Sequence, residues 1–211
     1  MLFVGAIFRL WIGGVPWMQS YLYDNKVLFS AGSLGDFTEL NPIRFGLVNL
    51  QVPVYAILEN RQLANMIALL VALTMGIVWL LLVNRPVNRG ASYRNELLEL
   101  SMIAVISLLP IYHRLYDASL LILPLLWCIV SLSGPLKLLA RGTFALILPF
   151  LVSGGSALEQ LQRTDRLSAL QHTRWWMEIV MPHQAWCLFL LSLVLLLALR
   201  LDGARPAEAD G

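Results

Sequence analysis

"LANMIALLVALTMGIVWLLLV", Leu63 to Val83, runs for 21 residues without a charged side chain. About 20 apolar residues in a helix cross the hydrocarbon core of a bilayer, since each adds about 1.5 Å and the core is about 30 Å thick. The stretch therefore reads as a membrane-spanning helix. The rest of the chain agrees. Of 211 residues, 58% are hydrophobic and 13% charged, where a soluble domain carries about a quarter charged. Such a chain cannot cover its surface with polar groups, so lipid is its expected solvent. The net charge of +2 is too small to call for a nucleic-acid partner. Cys128 and Cys187 lie inside apolar runs, at neither a disulfide nor a metal-ligand spacing, and read as small packing residues.

Working outward, Leu97–Ser133 is apolar apart from Glu99 and one polar cluster. At helical rise it is nearly twice as long as a bilayer is thick. It must cross twice and turn at the cluster, giving a hairpin of Leu97–Ile111 and Ala118–Ser133. Glu96 and Glu99 open the first arm, where acidic groups offset the helix dipole. Gly142–Ala157, Gln184–Leu201 and an imperfect Leu2–Trp17 bring the total to six crossings. The expected fold class is all-α: a polytopic membrane bundle of about six helices spanning 2–17, 63–83, 97–111, 118–133, 142–157 and 184–201. A disordered tail, 202–211, follows. No internal repeat or heptad pattern is visible, and a secretory signal peptide fits the N-terminus poorly.

Basic residues set the orientation. Arg85, Arg89, Arg94, Lys137, Arg141, Arg200 and Arg205 lie densely in short segments on one side. The segments at 20–62, 112–117 and 156–183 hold as many in more than twice the length. The denser side is expected to face the cytoplasm with both termini, which leaves the two long loops, 20–62 and 156–183, outside. The expected location is the plasma membrane, with the working face extracytoplasmic.

Three stretches on that outer side could carry chemistry. In "YHRLYD", Tyr112–Asp117, ionisable groups beside a membrane are functional candidates by default. A helical reading puts His113 and Asp117 on one face, Tyr112 and Tyr116 on the next, and Arg114 within reach of Asp117. Arg114 and His113 together could grip a phosphate, Arg offering a planar fork. The bland alternative is an interfacial tip with tyrosines in the aromatic belt. In "NPIRFGLVNLQVPVY", Asn41–Tyr55, Asn41-Pro42 starts a turn and Pro53 disfavours helix at Val52. Arg44 is a further phosphate candidate. Asn49 and Gln51 are amides in apolar surroundings that need partners, either backbone or the hydroxyls of a sugar. In "HTRWWMEIVMPHQAW", His172–Trp186, the tryptophans suit an interfacial belt or sugar stacking. His172 and His183 lack companions for a metal site. Of the outer acids Asp24, Asp36, Glu39, Glu59, Asp117, Glu159, Asp165 and Glu178, none stands in a motif that names it as a base. No P-loop, serine-hydrolase elbow or zinc helix is present, and no metal or cofactor is expected.

"RFGLVNLQVPVY" (Arg44–Tyr55) and "YHRLYDASLLILPL" (Tyr112–Leu125) resemble the later half of glycosyltransferase family 87, polytopic enzymes of the C-type superfamily, across roughly residues 1–200. The resemblance implies transfer of a hexose, commonly mannose, from a polyprenyl-phosphate sugar donor to a glycan or lipid acceptor, with inversion at the anomeric carbon. It implies that Arg114, His113 and Arg44 hold the donor phosphate, and that Asn49, Gln51, Tyr112 and Tyr116 line the cavity. The superfamily's catalytic aspartate is expected in a first outer loop near the start of a longer enzyme. This chain opens directly in apolar sequence, so it is expected to be the later portion of a larger enzyme, by split gene, truncation or start-site error. The base then lies outside it, the chain alone is expected to be inactive, and an N-terminal partner chain is one source of the base. Asp24, Asp36 and Asp117 are the weaker candidates within the chain. Two other classes remain open: a non-catalytic membrane subunit of a glycan or glycolipid assembly complex, and a transporter. A transporter commonly shows two related halves with broken helices, which are not evident here.

Overall fold

A computed structural model describes residues 16–85, 93–110, 115–151, 158 and 173–202. Among them the chain is helical and holds no β-strand, as an all-α fold requires. The described residues belong to two units that divide after Arg44.

In the first unit, helix α1 runs Pro16–Leu28. Proline suits a first helical position, since its missing N–H would have no partner there. The helix continues past residue 20, where an outer loop is expected, and no glycine or proline follows Pro16 before Gly32. The Leu28 carbonyl accepts from the Gly35 N–H at 3.0 Å and from the Ser33 hydroxyl. A Cβ on Gly35 would lie 2.7 Å from that carbonyl oxygen, so the fold of this loop demands glycine there. Asn41 starts the expected turn: its Oδ1 accepts from the Ile43 N–H at 3.1 Å.

In the second unit, α2 spans Gln51–Leu58, α3 Arg61–Val83, α4 Tyr93–Leu108, α5 Ile122–Ser131, α6 Lys137–Leu151 and α7 His183–Asp202. A 3-10 segment, Leu115–Leu121, precedes α5, and a π-helical turn, Trp176–Val180, precedes α7. Helices α3 and α7 are long and apolar enough to cross a membrane. In α3 only 22% of the most apolar stretch is buried, and Leu69, Leu70, Leu73, Ile77, Leu80 and Leu81 are exposed. A soluble protein rarely presents so continuous an apolar face to water. Helices α4, α5 and α6 are shorter, with 16, 10 and 15 residues. Residues 2–15 of the expected first span and 152–157 of the fifth lie outside the described residues, as do 203–211 of the tail.

Two prolines sit in first turns of helices for one reason. Pro53 is the third residue of α2 and Pro124 the third of α5. In a first turn the absent N–H costs nothing. Helix therefore includes Val52, against the expectation from Pro53. The second hairpin arm is helical from Ala118 as expected, 3-10 to Leu121 and α-helical from Ile122. Between α2 and α3 the chain turns sharply. Glu59 takes a left-handed conformation with φ 51°, and Asn60 Oδ1 accepts from the N–H groups of Gln62 and Leu63, both at 3.0 Å.

Helix α7 packs against α3, α4 and α6, α5 packs between α4 and α6, and α2 lies against α3. Between membrane helices the drive is close packing rather than escape from water, so small residues matter. Ala64, Ala68 and Ala72 recur every fourth residue of α3, and all three are buried. On α7 the buried residues include Gln184, Leu188, Leu191, Leu195 and Ala198, a spacing of 3 or 4 that marks one face.

Candidate functional site

The segment between the two units' boundary and α2 is irregular yet enclosed. Leu47, Val48, Asn49 and Leu50 are all buried. Buried irregular backbone needs partners for its polar groups. Here the Leu50 N–H donates to the Leu109 carbonyl, just beyond α4, at 3.0 Å. Asn49 Oδ1 accepts from the Val52 N–H, in the first turn of α2, at 3.4 Å. Gln51 Nε2 donates to Asn65 Oδ1 on α3 at 2.6 Å. These contacts pin Asn49 and Gln51 between the start of α3 and the end of α4.

Each amide is half used. Asn49 Nδ2 and Gln51 Oε1 are buried and have no hydrogen-bond partner. A buried polar atom left unpaired is costly, and such atoms are rare in native proteins. The pair presents one donor and one acceptor. The same end of the bundle carries the π-helical turn, which packs against both α2 and α7. Its wide winding is closed by the Met181 N–H donating to the Trp176 carbonyl at 2.9 Å. The Trp186 indole donates to the Glu178 carbonyl at 2.9 Å, and Arg174 pairs with Glu178 at 3.0 Å. Gln184, at the start of α7, donates to the Pro149 carbonyl of α6 at 2.9 Å.

The other expected site residues fall as follows. Tyr112, His113 and Arg114 lie outside the described residues. Tyr116 and Asp117 belong to the 3-10 segment, with side chains outside the description. Asp24, Asp36 and Arg44 are in the first unit. Asp24 is exposed on α1. Arg44 opens a short 3-10 turn, Arg44–Gly46. Asp36 is fully buried. Its carboxylate accepts from the Gly32 N–H at 2.7 Å, the Thr38 N–H at 3.0 Å and the Thr38 hydroxyl at 2.9 Å. That enclosure fits a loop organiser better than a base open to substrate. Thus Asn49 and Gln51 are both buried at the start of α2, and Asn65 and Leu109, unforeseen, bond Gln51 and the backbone of Leu50. Asn65 had a signal, as an amide inside the uncharged run from Leu63; Leu109 acts through its backbone and had none.

All the buried polar residues of the second unit, among those described, are uncharged: Asn49, Gln51, Ser101, Ser131, Thr143, Gln184 and Ser192. Such groups can hold hydroxyls but cannot take a proton at neutral pH. Among the described residues no three His, Cys, Asp or Glu side chains gather as metal ligands. No protein-family model, curated protein or solved structure matches the chain.

Proposed function

We propose that the chain is a multi-pass membrane glycosyltransferase, or the later part of one, that transfers a hexosyl group from a polyprenyl-phosphate donor at the extracytoplasmic face. Mannose is the first sugar to test. The observation that carries the reading is the pinned pair Asn49 and Gln51, each with an unpaired amide atom. Leu50 between them is bonded to Leu109, four residues before His113 in the chain. On this reading the amides meet sugar hydroxyls, with Tyr112 and Tyr116 beside them. Arg114 and His113 meet the phosphate. An acceptor oxygen attacks the anomeric carbon and gives its proton to a carboxylate. The bond from that carbon to the phosphate oxygen breaks, and the phosphate leaves with the electron pair. Cationic donors stabilise the charge that develops on it. The carboxylate is Asp117 or one from an N-terminal partner chain.

Membranes holding the chain, together with any partner chain encoded beside it, should transfer labelled mannose from polyprenyl-phosphate mannose. Arg114→Ala should lower the rate about a hundredfold, the usual loss when a donor to developing charge is removed, with membrane content unchanged. Unaltered turnover would take Arg114 out of the mechanism. A second reading is favoured by the enclosed carboxylate of Asp36 and the uncharged buried groups of the bundle. It is a non-catalytic subunit that binds the same lipid, and it predicts donor binding without transfer even when the partner is supplied.

A further inference from the structure

A third buried group at this end of the bundle has the same defect as the two amides. Trp176 is the buried residue of the π-helical turn, and its indole N–H has no hydrogen-bond partner. The turn packs against α2, whose buried residues are Gln51, Val52 and Pro53 in its first turn. Tryptophan in an aromatic belt keeps its N–H toward water or headgroups. Trp175, next in the chain and exposed, suits that role; Trp176 does not. A π-helical turn is itself uncommon and is frequent at functional sites. Two separate features of one element thus point to a ligand: the unusual winding and the unpaired donor that it carries inward.

We propose that Trp176 belongs with Asn49 and Gln51 to one subsite that recognises neighbouring hydroxyls of the donor's sugar. The inference rests on the function proposed above and adds the residue that makes the site selective for the sugar rather than the lipid phosphate. The chemistry is complementary. Asn49 Nδ2 and Trp176 Nε1 donate, Gln51 Oε1 accepts, and a sugar hydroxyl does both. A phosphate, which only accepts from them, leaves Gln51 Oε1 unpaired. All three atoms are shut off from solvent in this arrangement, so the sugar enters as α2 and the π-helical turn part.

The test compares two lipids in nanodiscs: polyprenyl-phosphate mannose and the same polyprenyl phosphate without sugar. Wild-type protein should bind the sugar-bearing lipid several-fold more tightly. Trp176→Phe removes the N–H and keeps the ring plane. It should reduce that ratio about three- to tenfold, the value of one hydrogen bond, and leave polyprenyl-phosphate affinity unchanged. Gln51→Leu should act in the same direction. Trp127→Phe is the control. Trp127 also has a buried, unpaired N–H, but it lies on α5 in the main core cluster, and the ratio should not move. A ratio of one in the wild type, or an unchanged ratio in Trp176→Phe, overturns the subsite while the phosphate site stands. Failure to bind either lipid overturns both proposals.

Discussion

Asp36 shows how far a residue type is from a role. In the sequence it is one acid among eight on the outer side. In the structure three donors of its own loop converge on its carboxylate, while Asn41 Nδ2 donates to its backbone carbonyl at 2.6 Å. Asp36→Ala would leave the amides of Gly32 and Thr38 without that acceptor, at about 1–3 kcal/mol for each buried group left unpaired. Hydrogen exchange over residues 29–43 should speed up in this variant while α7 stays protected. Unchanged protection in the loop would deny Asp36 the organising role. The carboxylate's partners are backbone groups, and no side-chain pattern announces where a backbone N–H will point. Asn49 and Gln51 were more legible. Amides in an apolar stretch must find partners, so their burial could be expected. Which half of each amide stays unpaired depended on the positions of Val52 and Asn65.

At the scale of the element, the helix ends follow local chemistry. Asn60 caps α3 through Gln62 and Leu63. Asn60→Ala should destabilise the protein by about 1 kcal/mol, seen as a lower denaturation temperature in detergent. Serine at the same position should restore most of the loss. Pro53 and Pro124 bear on reading rather than on stability. Proline is a poor helix former inside a helix but harmless in the first turn, and sequence alone does not say which of these positions it holds. In α6, Pro149 stands inside the helix and its own carbonyl is taken by Gln184 from α7. Gln184 was visible as a polar residue opening an apolar run; its partner 35 residues away was not.

For the whole molecule, the contacts gather one end of the bundle: the start of α3 through Asn65, the segment beyond α4 through Leu109, and the π-helical turn through α2. These neighbour the three segments that charge counting assigns to the outer side. Single cysteines at Tyr55 and Glu178 should therefore be labelled by an impermeant maleimide from outside the cell. One at Asn88 should be labelled only after the membrane is opened. Labelling of all three from the same side would break the grouping, and the reverse pattern would invert the proposed face.

The sequence by itself determined the helical class, the run at Leu63–Val83, the apolar course of α7 and the uncommon placement of Asn49, Gln51 and the Tyr112–Asp117 cluster. These follow from composition and from the length a bilayer demands, which are local quantities. Which face of each helix is buried was decided only by tertiary structure. On α7, Leu188, Leu191, Leu195 and Leu199 are buried while Leu190, Leu193, Leu197 and Leu201 are exposed. Where lipid and protein interior are equally apolar, leucine serves on both sides, and hydrophobicity cannot tell one face from the other. The buried alanines of α3 and the inward Gln184 and Ser192 of α7 mark the packed face instead. Small size and hydrogen-bonding capacity gain their meaning from a neighbouring helix.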